Sequence, residues 1–104
     1  MSQATIYPGI CGFITTVEVH KIDKRRCSVK VQSECPHIQK LAVALTEVEP
    51  FKEISFRGDG PSVLRLGAEY CTHPACPVPV GILKAIEVEA GLALPRNVEI
   101  KVEK

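Results

Sequence analysis

The chain has 104 residues, 45% hydrophobic and 24% charged, the balance of an ordinary globular domain. Thirteen Lys and Arg against twelve Asp and Glu leave a formal charge of +1, which argues against a broad electrostatic grip on nucleic acid or anionic lipid. No apolar run approaches the roughly 18 residues of a membrane span, and the opening residues lack a charged-then-apolar signal. The expectation is one cytoplasmic α+β domain over residues 1–104, without membrane or nucleic-acid partner.

In chain order, Phe13, Thr15, Val17 and Val19 alternate with Ile14, Thr16, Glu18 and His20, the period of a strand. Cys27, Val29 and Val31 alternate likewise with Ser28, Lys30 and Gln32, and the polar run Lys21–Arg26 joins the two as a hairpin. Ile38, Leu41, Ala42 and Leu45 then fall at helical spacing, with Ser33 or Cys35 as cap and Pro36 in the first turn, where a missing N–H costs nothing. Ile54 and Phe56 suggest a short third strand, closed by the turn Gly58-Asp59-Gly60.

A second helix is predicted from Pro61, with Val63, Leu66, Gly67 and Tyr70 on one stripe and Leu64, Ala68 and Cys71 on the next. Two prolines in Cys71-Thr72-His73-Pro74-Ala75-Cys76-Pro77 break it. A third helix follows from Pro77 to Ala90, with Lys84, Glu87 and Glu89 toward water and Gly91 past its end. Val98, Ile100 and Val102 alternate with charged residues as a terminal strand. The order β-β-α-β-α-α-β makes a two-layer sandwich: a mixed four-stranded sheet, three helices on one face, and a right-handed parallel crossover from Ser28 to Phe56. An open sheet edge in such a fold points to a homodimer.

The chemistry lies with the five cysteines, Cys11, Cys27, Cys35, Cys71 and Cys76. An odd number forbids a complete disulfide set, and in a reducing compartment such thiols are core residues, metal ligands or nucleophiles. Cys27 shares the inward strand face with Val29 and Val31 and belongs to the core. Cys35-Pro36 and Cys76-Pro77 each place a cysteine at a helix start, where unpaired N–H groups and the helix dipole favour thiolate. The alternative is that cysteine is merely tolerated there.

Cys71, His73 and Cys76 form a C-x-H-x-x-C turn, and with Cys35 and Cys11 they could supply the ligands of a zinc ion or an iron–sulfur cluster. His73 is either a ligand, a base for a neighbouring thiol, or an ordinary loop residue. Cys11 sits between Gly9 and Gly12, where glycines let backbone approach a ligand or serve only a bend. His37 points to solvent or across the site, and His20 lies at the surface. Arg57–Pro61 and Lys24-Arg25-Arg26 read as a turn and a solvated loop.

Two resemblances attach to these residues. Ile10–Phe13, Ser33–Pro36, His73–Pro79 and Gly91–Pro95 resemble a small prokaryotic family of uncharacterised cysteine-containing proteins of this length. The stretch Cys27–Phe56, a strand, Cys35-Pro36, an amphipathic helix and a strand, is similar to the metal–sulfur cluster assembly domain shared with phenylacetate-degradation protein D. Only Cys35 maps onto that motif, and the two later helices with Cys71–Cys76 depart from it.

The leading expectation is a small metal- or iron–sulfur-binding module gathering Cys11, Cys35, Cys71 and Cys76, with His73 as alternate ligand, serving sulfur, cluster or redox handling beside a protein partner. One alternative is a thiol enzyme or sulfur carrier with Cys35 or Cys76 as nucleophile and His73 or His37 moving protons. Another is a structural or oligomer-forming domain with core cysteines.

Overall fold

A computed structural model describes all 104 residues. Strands β1 (Ser2–Ile6), β2 (Thr15–Lys21), β3 (Cys27–Ser33) and β4 (Glu47–Val48) form one sheet in that order. The helices are α1 (Pro36–Ala44), α2 (Pro50–Glu53), α3 (Ser62–Tyr70) and α4 (Val78–Glu89). The expected α+β class, with a four-stranded sheet and helices against it, is what the chain adopts. Only one sheet face is covered: Thr15, Val17, Val19, Cys27, Val29 and Val31 are buried, while Thr16, His20, Lys30 and Gln32 on the other face are exposed. Helix α4 packs on β1 and β2, α1 on β3, and α3 on both α1 and α4. Fifteen buried residues form one cluster between the layers.

The sheet differs from expectation in being antiparallel at every pairing rather than mixed. Helix α1 returns the chain to the start of β3, where Val48 pairs with Cys27 and Glu47 with Ser28. Pro50 then opens α2 at once, so β4 stops after two residues and no parallel crossover forms. Ile54 and Phe56, expected in a strand, lie beyond α2 and are exposed. Two residues at period two are too few to hold a strand against proline-initiated helix.

The place expected for the terminal strand is also different. Val98, Ile100 and Val102 form no strand within the chain. The first edge belongs instead to β1, whose Ala4 and Ile6 face inward while Gln3 and Thr5 face out. Only five residues long, β1 offers little periodicity before Tyr7 and Pro8 interrupt it.

Three devices fix the helices. Gly91, at φ +75°, ends α4 in a Schellman arrangement, with Leu92 N–H donating to Glu87 O (2.9 Å) and Gly91 N–H to Val88 O (3.1 Å). Glu89, expected to face water, instead joins α4 to the sheet. Its carboxylate accepts from Ser2 Oγ (2.8 Å) and Lys21 N–H (2.9 Å) and lies 3.4 Å from the Met1 amino group. Burial opposes its ionisation, yet these donors outweigh that cost and hold its pKa below the ordinary carboxylate value. Glu53, only 4% exposed, sits at the start of α3 and accepts from Ser62 N–H (2.8 Å), Val63 N–H (3.0 Å) and Ser62 Oγ. A side chain from the preceding helix thus does the work of an N-cap, since Pro61 at the cap position has no suitable side chain.

Replacing Glu53 with Ala strips α3 of these acceptors and leaves buried donors unpaired. We expect a loss of about 2–3 kcal/mol, the scale of an unsatisfied buried donor plus a lost cap, with Glu53→Gln intermediate. Urea unfolding checks this, and a change below about 0.5 kcal/mol, the scale of a neutral surface substitution, would contradict the capping role.

Candidate thiol site

Topology brings four of the five cysteines to one end of the molecule. Ile6 at the end of β1 pairs with Thr15 at the start of β2, and Thr15 pairs in turn with Ser33 at the end of β3. Cys35 follows β3, and Cys11 lies in the β1–β2 connection. Gly81, in the first turn of α4, lies so close against Ile6 that a Cβ there would collide with its side chain. That contact carries the start of α4, and Cys76 just before it, to the same end. Cys71 terminates α3 beside it, its N–H donating to Gly67 O (2.9 Å).

Each sulfur is held differently. Cys35 is the N-cap of α1, with extended backbone (φ −69°, ψ 121°) and Pro36 behind it, as its sequence context predicts, though its side chain makes no capping hydrogen bond. Cys76 is not the cap of α4. That position is Pro77, and Cys76 stands one residue earlier, closing a turn in which its N–H donates to His73 O (3.1 Å). Pro77 holds that position because its carbonyl accepts the first helical bond, from Gly81 N–H (3.0 Å). Cys35, Cys71 and Cys76 are half-buried and pack against the core cluster. Cys11 is exposed in a turn closed by Gly12 N–H to Gly9 O (3.0 Å), with both glycines at positive φ. Cys27 is buried in the core as expected, and burial, aided by the charge of Glu89, pushes its thiol pKa up. His73 and His20 are exposed and His37 is half-buried.

Cys71 and Cys76 lie beside the same groove. Burial pushes the Cys71 thiol up to about 11, and the neighbouring Cys76 and Cys35 add to the effect. Cys71 is therefore held protonated well above neutral pH. Both sulfurs line a groove of about 460 Å³ with His73, Leu64, Gly67 and Pro79. No three His, Cys, Asp or Glu side chains are grouped as one metal ion would require. Cys71 and Cys76 share the groove, whereas Cys35 and the exposed Cys11 lie at the same end of the fold without lining it.

Two residues that determine this geometry carry no obvious chemistry. A Cβ on Gly67 would stand 2.8 Å from Pro79 Cγ and 3.4 Å from its Cβ. The absent side chain lets α3 and α4 approach one turn from Cys71, which seats Cys71 beside Cys76. Helical spacing places Gly67 on an inward stripe but does not disclose its contact with Pro79. The available signal was a glycine in a helix interior, a position that costs roughly 1 kcal/mol unless packing requires it.

Over residues 2–102 the sequence matches a family described as being of unknown function, DUF6951. The chain belongs to that family. No curated protein and no solved structure matches it. Nothing in these comparisons supports the likeness of Cys27–Phe56 to the metal–sulfur cluster assembly domain, and in place of that segment's expected final strand the chain has the two-residue β4 followed by α2.

The raised Cys71 pKa has a defined pH signature. Unfolded, Cys71 titrates at its ordinary 9.0; folded, at about 11. Between these values the native state binds more protons than the unfolded state, so its contribution is complete below pH 9 and falls as pH rises toward 11. We expect urea midpoints measured at pH 8 and pH 10 to fall less steeply in Cys71→Ala than in the unaltered chain; parallel declines would remove Cys71 as the source. In Gly67→Ala, the new methyl meets a rigid proline ring. We expect about 1–3 kcal/mol of destabilisation by overpacking and faster alkylation of Cys71 as the helices part. Unchanged melting and labelling would show that the helix spacing is not set there.

Proposed function

We propose that the chain is a dithiol module that exchanges electrons and sulfur bonds with a partner's disulfide through Cys76 and Cys71. The observation that carries this reading is that Cys71 and Cys76, from the end of α3 and the approach to α4, line one groove. Thiol–disulfide exchange needs an attacking thiolate and a second thiol that resolves the mixed disulfide. Cys76, just before the N-terminal end of α4, suits the first role. Cys71, held protonated beside it, suits the second.

The step balances without a further reactant. The Cys76 thiolate attacks one sulfur of the partner's disulfide, forming a mixed disulfide and releasing one partner thiolate. Cys76 then carries no charge, so the repulsion that opposes a Cys71 thiolate disappears. Cys71 loses its proton to solvent and attacks Cys76 Sγ, forming the Cys71–Cys76 disulfide and expelling the second partner thiolate. Two electrons pass from the dithiol to the partner, and the expelled thiolates take up protons.

The zinc or iron–sulfur reading on Cys11, Cys35, Cys71, His73 and Cys76 has weaker geometric support. Cys11 and His73 are exposed, and no ligand trio is assembled.

The test uses a Cys11→Ser background, so that the exposed thiol does not compete, and oxidised glutathione as the disulfide. We expect peptide mapping to show a Cys71–Cys76 linkage in that background and a glutathione adduct accumulating on Cys76 when Cys71→Ser is added. Adducts spread evenly over the remaining thiols, or no Cys71–Cys76 linkage, would overturn the reading.

A further inference from the structure

The first edge of the sheet and the last residues of the chain each lack a partner, and they match each other. β1 pairs only with β2, leaving its outer backbone edge open. Helix α4 extends past that edge: Lys84, Ala85 and Val88 line a groove of about 800 Å³ alongside β1. The groove is floored by a helix flank and a strand edge, the environment that an added strand fills. Its charged side chains, Lys84 and Arg96, are both basic, and no acidic residue lines it.

The matching element is Val98–Val102. Its apolar residues alternate with Glu99 and Lys101, and Glu103 follows, the pattern of a strand with one buried face. Yet Val98, Ile100 and Val102 are 64%, 75% and 88% exposed. Residues Pro95–Val98 touch the rim of the groove, and beyond Val98 the chain no longer lines it. Inner-face positions on β1 are taken by Ala4 and Ile6, so a strand laid beside it would continue that face with Val98, Ile100 and Val102 and leave Glu99, Lys101 and Glu103 on the open face.

We propose that Val98–Val102 of one copy adds to the open edge of β1 of a second copy, and that the exchange is reciprocal, giving a two-fold symmetric dimer. One chain presents both the donor strand and the acceptor edge, and a two-fold axis satisfies both at once. Each exposed edge is thereby covered, which a sheet with an apolar flank otherwise leaves open to uncontrolled pairing. The proposal is independent of the thiol chemistry, since β1's outer edge and the groove beside it contain no cysteine.

The full-length chain, Ile100→Asp and a chain lacking residues 98–104 are compared by analytical ultracentrifugation, with hydrogen exchange of the β1 amides. We expect a dimer for the full chain, a dissociation constant raised at least about tenfold by Ile100→Asp (about 1.4 kcal/mol), and a monomer with faster β1 exchange after truncation. Far-ultraviolet circular dichroism reports whether each variant folds; the altered residues are exposed within one chain, so unchanged spectra are expected. A full chain that stays monomeric overturns the proposal, whether its β1 amides are unprotected or shielded by its own last residues. So does a dimer that survives truncation.

Discussion

The close approach of α3 and α4 at Gly67 and Pro79 is the constraint on which the thiol end depends. Helices normally stand 8–10 Å apart, with the distance set by the side chains at the contact. Removing the side chain from one helix and placing a compact, rigid ring on the other allows a short distance without freezing a flexible group. Because Cys71 follows Gly67 by about one turn and Cys76 precedes Pro79 by three residues, the same contact that closes the helices brings both cysteines to one groove. The intervening turn, with Pro74 and Pro77 in it, cannot extend either helix and so keeps the connection short.

Two carboxylates hold the rest of the framework to that contact. Glu53 fixes the start of α3, and Glu89 fixes the end of α4 to β1 and to the end of β2. The thiol end is therefore opposite both anchors: each helix is tied at its far end by a hydrogen-bonded carboxylate and meets its neighbour at the near end through apolar packing. Burying a carboxylate is costly unless its oxygens find donors, and in both cases backbone N–H groups supply them. A helix start and a strand end are the places where such N–H groups lie free.

Much of this architecture was legible because burial imposes a period. The β2–β3 hairpin and the three long helices announce themselves through alternating or helical apolar spacing, and each lies where that spacing ends. What was illegible has a common cause. β1 and β4 are too short for a period to register, and β4 pairs by tertiary position after α1 returns the chain. Val98–Val102 shows the opposite failure: a clear strand pattern whose partner edge is not supplied within one chain. Cys-Pro placed Cys35 at its helix cap but set Cys76 one residue too close to α4, and the neighbourhood of Cys71 and Cys76 depended on Gly67 and Pro79, which carry no chemical signature. Glu53 was invisible for the same reason, since nothing local distinguishes a surface Glu from one that reaches nine residues forward to cap a helix.

Five cysteines in one chain occupy three environments, and the fold alone separates them. Cys27 lies among valines, where burial suppresses ionisation and leaves a small apolar side chain. Cys11 faces solvent in a glycine turn. Cys35, Cys71 and Cys76 take the middle course, half-buried at the rim of the core. Cysteine is suited to that rim because its protonated form packs as a hydrophobe while its ionised form is a nucleophile. A histidine or carboxylate in the same places would need hydrogen-bond partners to be buried at all. A chain this small, with one core, thus keeps reactive groups against its interior at little cost in stability. Their neighbours, rather than the residue type, then determine how far each sulfur is buried and, for Cys27 and Cys71, how strongly ionisation is opposed.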